Sequence, residues 1–429
     1  MSDIETSDIG TSDLETMVVG LCRDARAAAR QLATASTRTK NEALAASARG
    51  LRQRSDTILE ANRRDVEGGR AAGLSDALVD RLTLDEGRIE GVATGLEQIA
   101  ALDDPVGETI ERWRRPNGLE ISQVRIPLGV IGMIYESRPN VTADAAALCL
   151  KSGNAVVLKG GKEAIHTNSA IAEILRAAIV GAGLPPASVQ LIPTTDRAAV
   201  KVLLRQREFI DVIIPRGGPS LIEAITDESS IPVIQHYAGV CHVYVDADAD
   251  LEMARRIAVN SKVQRPGVCN ALETLLVHQN IAQRFLPAVA DDLGAANVEL
   301  RGCRRTRALV PVASAASEED WSTEYLDLIL SIRVVDDLDT AVDHIATYGT
   351  GHSDVIVTDS YTNAKNFVAA VDSAAVYVNA STRFTDGFMF GFGAEIGIST
   401  NKLHARGPMG LRNLTTYKYV IEGSGQIRE

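Results

Sequence analysis

The feature of this 429-residue chain that most constrains its fold is an alternation of short, β-branched apolar runs with helical stretches. The strand-like runs of a first series occupy 130–134, 155–158, 189–192, 212–214 and 243–245. The helical stretches between them occupy 141–151, 167–180, 196–207 and 220–228. Apolar strands that are joined by helices indicate a parallel sheet covered on both faces. The series therefore predicts an α/β lobe.

A second series of the same kind follows. Its strand-like runs are 275–277, 354–357 and 375–378, and its helical stretches are 281–293 and 340–347. Two series predict two parallel-sheet lobes, whose ligands bind where strand ends meet between the lobes. Ahead of both, the segment 17–62 is rich in Ala, Leu and Arg at helical spacing, which predicts long helices.

Two further segments, 119–126 and 414–422, alternate apolar and polar residues like half-buried antiparallel strands. We expect them to pair as a small antiparallel arm beside the two lobes. The exposed edge of such an arm invites pairing with another chain. The pattern therefore predicts a homodimer or a dimer-based oligomer.

Composition and charge exclude several classes of protein. A net charge of −12 argues against a nucleic-acid partner or an anionic membrane surface. The longest apolar run, 128–135, is far shorter than the ~20 residues that a membrane-spanning helix needs. The first sixteen residues carry five acids and no base, which predicts a flexible acidic leader and not a targeting peptide. The five cysteines are scattered and lack CxxC spacing, which is typical of reduced thiols in a cytoplasmic protein.

Several common site motifs are absent from the sequence. GxGxxG after a strand, GxxxxGK[ST], GxSxG and HExxH do not occur. The stretch from His236 to His242 resembles a metal cluster only superficially. Cys241 and His242 are neighbours on a predicted strand, so their side chains point to opposite faces and cannot share one ion. We therefore expect no metal site.

The segment around Cys269 is the most informative in the chain. This cysteine follows a Pro-Gly pair on a turn between a helical stretch and an apolar strand. Lys262 and Arg265 are close in sequence, and such cations would lower the pKa of the thiol and favour a nucleophilic thiolate. Spacing alone leaves open that Cys269 is a small buried hydrophobic residue.

Two glycine-containing turns follow predicted strands. In the first, Lys159 and Lys162 flank a glycine pair, so the backbone can approach a phosphate and the lysines can bind it. In the second, Arg216 precedes two glycines, and Ser220 is placed to cap the following helix. Ordinary β-to-α turns with solvated lysines are the alternative interpretation of both segments.

Six sequence blocks together resemble the aldehyde dehydrogenase superfamily, most closely those members that reduce γ-glutamyl phosphate. The blocks are 124–142, 148–164, 213–218, 265–278, 371–387 and 402–419. The resemblance implies an aldehyde-dehydrogenase-like α/β fold, with two lobes and an oligomerisation arm. It divides the chain into a leader (1–16), an NADP-binding domain (17–114 and 128–243), a catalytic domain (244–408) and the arm (115–127 and 409–429).

The resemblance also implies a reaction, a step of proline biosynthesis. Cys269 would attack the acyl carbon of L-glutamyl 5-phosphate and expel phosphate, and NADPH would reduce the thioester to glutamate 5-semialdehyde. Asn140 would complete an oxyanion hole with the Cys269 backbone N–H. Oxidising relatives carry a water-activating glutamate where this chain has 234–239, which holds no carboxylate. That absence favours reduction over oxidation to an acid.

The resemblance assigns the remaining site residues. Those expected to bind the cofactor are Lys159, Gly160, Lys162, Pro215, Gly217, Gly218 and Ser220. A lysine at 162 replaces the glutamate that NAD-preferring relatives use for the ribose, and it would attract a 2′-phosphate, so NADP(H) is expected. Those expected to bind the substrate's phosphate and carboxylate are Arg138, Arg265, Arg383 and Arg406. Each arginine could instead form a structural ion pair.

Partners and alternatives follow from the same resemblance. The acyl phosphate is labile in water, so transient contact with the glutamate 5-kinase that makes it is expected. A semialdehyde-oxidising dehydrogenase and a non-catalytic scaffold stay open as alternatives. Phosphate-dependent turnover distinguishes the reductase from both.

Overall fold

The computed structural model describes residues 11–136, 138–235 and 238–428. Its helices are α1 (Thr11–Leu32), α2 (Thr37–Gln53), α3 (Ser55–Ala71), α4 (Asp76–Leu82), α5 (Glu86–Ala101), α6 (Asn140–Lys151), α7 (Ile165–Gly181), α8 (Ala198–Leu203), α9 (Pro219–Glu228), α10 (Leu251–Val263), α11 (Gln279–Ala295), α12 (Arg304–Leu309), α13 (Leu338–Tyr348) and α14 (Tyr361–Ala370).

The strands form four sheets within the described residues. They are β1 (Thr109–Arg114), β2 (Glu120–Pro127), β3 (Val130–Tyr135), β4 (Ala155–Gly160), β5 (Val189–Leu191), β6 (Val212–Arg216), β7 (Cys241–Val245), β8 (Leu272–His278), β9 (Glu299–Gly302), β10 (Ser314–Ala315), β11 (Ile329–Val335), β12 (Ser353–Val357), β13 (Ala375–Val378), β14 (Ile398–Ser399), β15 (Gly407–Pro408) and β16 (Thr415–Glu422).

The first lobe is built on a parallel sheet with the strand order β5-β4-β3-β6. Every residue of β3 and β4 is buried, because helices pack on both faces. This confirms the fold class that the apolar runs predict. The core of the lobe extends into α1, since Leu14 is only 2% exposed. Residues 11–16 therefore belong to a packed helix and not to a leader, while 1–10 lie outside the described residues.

The second lobe is built on a seven-stranded parallel sheet with the order β10-β9-β11-β8-β7-β12-β13. β7 lies between β8 and β12, with Val243 opposite Leu275 and Val355. The strand at 243–245 therefore belongs to the second lobe, although the sequence pattern places it at the end of the first. The change of lobe falls before Cys241.

The arm is a three-stranded antiparallel sheet with the order β1-β2-β16. β16 pairs with β2 over its whole length, which confirms the predicted pairing of 119–126 with 414–422. β1 also belongs to this sheet, although the predicted domain boundaries place it in the first lobe. Asn154 fastens the arm to that lobe, because its Oδ1 accepts from Gly129 N–H at 2.8 Å and its Nδ2 donates to the Leu414 carbonyl at 2.9 Å.

The chain returns to the first lobe before it enters the arm. Ile396, Ala405 and Met409 are buried in the first lobe's core, and β14 and β15 form a short antiparallel ribbon there. The segment that follows the second sheet therefore packs against the first lobe. None of the helices described here is both long enough and apolar enough to span a bilayer.

Candidate active site

Cys269 lies on the loop that joins α10 to β8 in the second lobe. The loop is tightly packed, since a Cβ at Gly239 would lie 1.9 Å from the Cys269 carbonyl oxygen. The Cys241 thiol donates to the same oxygen at 3.2 Å. On the other side, the Asn270 amide donates to the Thr385 carbonyl at 2.8 Å. These contacts fix the backbone conformation at Cys269.

A buried ion pair braces the two ends of this loop. Lys262 in α10 and Glu273 in β8 are both fully buried, with Nζ and Oε2 2.6 Å apart. Burial raises the pKa of Glu273 to about 7, although the ammonium of Lys262 lowers it. Lys262 is therefore engaged with Glu273 and does not act as the free cation beside Cys269 that the sequence suggests.

The electrostatic environment of Cys269 also differs from the one expected. Burial, together with the carboxylates of Glu324 and Glu395, raises the pKa of the thiol to about 11, although the guanidinium of Arg216 lowers it. Neither Lys262 nor Arg265 is a leading influence. Cys269 is therefore a protonated thiol at neutral pH until a ligand or a conformational change alters its surroundings.

Glu324 and Glu395 place carboxylates near Cys269, although the segment 234–239 holds none. Glu324 accepts a hydrogen bond from the backbone N–H of Gly239, and Glu395 accepts one from Gly387 N–H at 2.9 Å. Burial raises the pKa of both carboxyls. His236 and Tyr237 lie outside the described residues. The absence of a carboxylate from 234–239 therefore does not leave the surroundings of the thiol without one.

Three arginines lie within electrostatic range of the Cys269 thiol, and a fourth lies within range of two of them. Arg138 and Arg383 each interact electrostatically with Arg265 and with the thiol, and Arg216 interacts with Arg138 and with the thiol. Desolvation lowers the pKa of Arg138 and of Arg383, and the neighbouring positive charges lower it further. Across residues 11–136, 138–235 and 238–428, none of the four is ion-paired with a carboxylate. Such a cluster is poised to bind an anion.

Arg406 lies in a different setting. Its Nη1 is 2.8 Å from Oδ1 of Asp372, and its Nη2 donates to the Asp372 carbonyl at 2.8 Å. The structure therefore gives Arg406 the alternative role of a structural ion pair. Arg138, Arg265 and Arg383 are brought together. Arg216 joins them, although it was expected only in a glycine-containing turn and not as a substrate ligand.

Asn140 is the first residue of α6. Its Nδ2 donates to Oδ2 of Asp144 at 2.9 Å, and burial raises the pKa of that carboxyl to about 6. The amide is thus directed at a residue of its own helix. Its role as an oxyanion donor stays a prediction that requires it to turn towards Cys269.

A cavity of about 360 Å³ lies in the first lobe, at the carboxyl ends of β3 and β4. Four of the residues predicted to bind the cofactor line it, namely Lys159, Gly160, Lys162 and Ser220. Pro215, in β6, and Gly217 and Gly218, in the turn after it, do not line the cavity. Ser220 lies inside α9 and does not cap it, because the N-cap residue is Gly218. The backbone N–H of Gly218 donates to the Glu136 carboxylate at 3.1 Å.

The cavity fits the phosphate and ribose groups of a dinucleotide. Gly160 packs against the buried Asn168, since a Cβ at Gly160 would lie 2.2 Å from Nδ2 of that side chain. Lys159 is buried at the cavity wall, where desolvation lowers its pKa and its Nζ donates to the Gly160 carbonyl at 2.9 Å. Lys162 and Arg197 add positive charge to the lining. Within the described part of the chain, no cluster of three or more metal-ligating side chains occurs.

Comparison with known proteins identifies the family. Residues 9–327 match the aldehyde dehydrogenase family. The chain is 60% identical to a γ-glutamyl phosphate reductase from Moorella thermoacetica over 405 residues, which is 94% of this chain and 97% of the relative. The crystal structure of a γ-glutamyl phosphate reductase from Thermotoga maritima superposes with a TM-score of 0.95 at 50% identity, covering 96% of this chain and 100% of that one.

A more distant structure shares the fold alone. An acetylating aldehyde dehydrogenase from Geobacillus thermoglucosidasius superposes with a TM-score of 0.67 at 17% identity, covering 98% of this chain and 99% of that one. The family resemblance of the six sequence blocks is therefore confirmed, and family membership implies a nicotinamide cofactor and a small-molecule substrate. The chain belongs to the aldehyde dehydrogenase family and, within it, to the γ-glutamyl phosphate reductases.

Proposed function

We propose that this chain reduces L-glutamyl 5-phosphate to L-glutamate 5-semialdehyde and phosphate with NADPH, a step of proline biosynthesis. The observation that carries the proposal is the cluster of Arg138, Arg216, Arg265 and Arg383 around the Cys269 thiol. An acyl phosphate with a distal carboxylate presents two anions on either side of an electrophilic carbon. The names of the relatives specify that substrate.

In this proposal Cys269 is the nucleophile. Its sulfur bonds to the acyl carbon, the bond from that carbon to the phosphate oxygen breaks, and a thioester is left on the protein. The arginines neutralise the phosphate as it leaves, while the Cys269 N–H and the Asn140 amide stabilise the oxyanion. A nicotinamide cofactor bound beside Lys159 and Lys162 would supply the hydride that reduces the thioester. The carbon–sulfur bond then breaks with its electron pair on the Cys269 sulfur, and the aldehyde leaves.

The test is phosphate-dependent reduction of NADP⁺ by the purified chain. Glutamate 5-semialdehyde is supplied in equilibrium with its cyclic imine, and the reaction is followed in reverse with and without inorganic phosphate. The reductase requires phosphate, because phosphate must cleave the thioester. Turnover that does not need phosphate would instead indicate a dehydrogenase in which Glu324 or Glu395 activates water. Absence of turnover in a folded protein that binds NADP⁺ would contradict both.

The cofactor is proposed to be NADP(H), on the basis of Lys162. A Lys162→Glu variant places a carboxylate beside the 2′-phosphate, and we expect the ratio of kcat/KM for NADPH to that for NADH to fall about 10- to 100-fold. The measurement compares initial rates with both cofactors. Lys365→Glu is the matched control, because Lys365 lies over the ring of Tyr361, outside the cavity lining. Equal kcat/KM of the wild type for both cofactors would contradict the assignment.

The arm is proposed to mediate assembly into a dimer or a dimer-based oligomer. Tyr419 and Ile421 on its edge strand β16 are 52% and 58% exposed, and Ile110 on β1 is 42% exposed. Apolar side chains along an open edge favour pairing with a second chain.

Transient contact with a glutamate 5-kinase is proposed from the lability of the substrate. A cytoplasmic location is proposed from the five free thiols.

A further inference from the structure

We propose that Arg216 is a catalytic residue that stabilises the Cys269 thiolate and binds the phosphate that this thiolate displaces. The second half of this assignment rests on the proposed function, whereas the first half does not. Arg216 ends β6 at the carboxyl edge of the first lobe's sheet, the edge at which α/β folds bind ligands. It therefore brings a charge from one lobe towards a thiol that belongs to the other.

The guanidinium of Arg216 packs against Gly397, which has no side chain to displace it. A Cβ at Gly397 would lie 2.9 Å from Nη1 and 3.4 Å from Cδ of Arg216, so a larger residue there would displace the side chain. Gly397 lies on the segment 383–397, and the start of that segment holds Asn270 through the carbonyls of Arg383 and Thr385. One continuous segment thus fixes both Arg216 and the residue next to Cys269.

The charges around Arg216 also favour this role. The side chain is half-buried, yet within the described ranges it forms neither a hydrogen bond nor an ion pair. Asp144, Glu395 and Arg138 face it at longer electrostatic range. Glu324 and Glu395 oppose ionisation of Cys269, whereas Arg216, with Arg138 and Arg383, favours it. A half-buried, unpaired guanidinium carries a desolvation cost that an anionic ligand offsets.

The step balances without another reactant. The thiol loses its proton, the sulfur forms a bond to the acyl carbon, and the carbon–oxygen bond to phosphate breaks with its electron pair on the phosphate oxygen. The thiol proton leaves on that phosphate as HPO₄²⁻, so the total charge is unchanged. Arg216 contributes by stabilising first the thiolate and then the phosphate, and it does not itself gain or lose a proton.

The test compares Arg216→Gln and Arg216→Lys with the control Arg255→Gln. Arg255 is a similarly accessible arginine, but it is paired with Asp292 at 2.7 Å on the surface of the second lobe. The first readout is the pH dependence of Cys269 alkylation by iodoacetamide, quantified on the Cys269 peptide without substrate or cofactor. The second is the KM for inorganic phosphate in the reverse assay, measured beside the KM for NADP⁺.

In Arg216→Gln we expect Cys269 alkylation at mildly alkaline pH to slow at least about tenfold, and the phosphate KM to rise about tenfold or more. The NADP⁺ KM stays unchanged. Arg216→Lys should retain most of the alkylation rate, because lysine keeps the positive charge. Its phosphate KM should still rise, because lysine cannot donate two parallel hydrogen bonds to a phosphate as arginine does. An unchanged alkylation profile in folded Arg216→Gln would overturn the thiolate role, whatever reaction the chain catalyses. A phosphate KM equal to that of Arg255→Gln would overturn the phosphate role.

Discussion

Replacing Cys269 by alanine is expected to lower reductase turnover by at least about 10⁴-fold, the effect typical of removing a covalent nucleophile. Cys269 lies on a loop of the second lobe, outside the lining of the first lobe's cavity. The variant should therefore bind NADP⁺ as tightly as the wild type. Turnover is measured in the phosphate-dependent reverse assay, and binding by titration calorimetry.

The matched control for this variant is Cys303→Ala. Cys303 is also partly exposed, and although burial raises its pKa, hydrogen bonds from the Thr306 hydroxyl and from backbone N–H groups lower it overall. It is thus the thiol that ionises more easily in the resting protein. Full activity of Cys303→Ala would show that ease of ionisation alone does not select the nucleophile. Turnover of Cys269→Ala above about one hundredth of wild type would contradict the assignment.

Much of the fold could be predicted because its strands are locally apolar on both faces. β3, β4 and β12 are fully buried strands. Their own apolar residues are enough to predict them, without information on the strands beside them. β11 was missed because Ser331 and Arg333 interrupt its apolar run. Their partners come from elsewhere in the chain: Ser331 Oγ is 2.7 Å from the Tyr325 hydroxyl, and Arg333 lies 2.9 Å from Nδ1 of His344. Tertiary contacts decide such a strand.

Local sequence pattern predicted the parts of the site whose residues are close in sequence, whereas Arg138 and Arg383 were expected only from the family resemblance. The turn that carries Cys269 and the glycine pair after Lys159 are local features, so the sequence identifies them. The electrostatics of the thiol are not local, because Glu324, Glu395 and Arg216 reach it from three different segments. Lys262 is seven positions from Cys269, yet the fold uses it elsewhere. Proximity in sequence therefore predicted for Lys262 a role that the fold does not give it.

Replacing Lys262 by methionine is expected to destabilise the protein by about 3–5 kcal/mol, because Glu273 is left buried without its counter-ion. Both side chains are fully buried, and among the described residues Glu273 Oε1 accepts one further hydrogen bond, from Leu326 N–H at 3.3 Å. The free energy of unfolding is measured by chemical denaturation. Since the pair spans the Cys269 loop, the variant should also alkylate at Cys269 with altered kinetics.

The double variant Lys262→Met/Glu273→Leu separates loss of the pair from loss of packing. Removing both charges leaves no uncompensated ion, so stability should return to within about 1–2 kcal/mol of the wild type. The single variant should also be less destabilised at about pH 6 than at about pH 8, because its buried carboxyl binds a proton that the unfolded chain does not hold there. An acid whose pKa is higher in the folded protein than in the unfolded chain contributes stability that is lost as the pH rises. The loss of stability in the single variant should therefore be larger at the higher pH. A double variant as unstable as the single one would show that Lys262 acts through packing against the Tyr325 ring, 5.8 Å from its Nζ, and not through its charge.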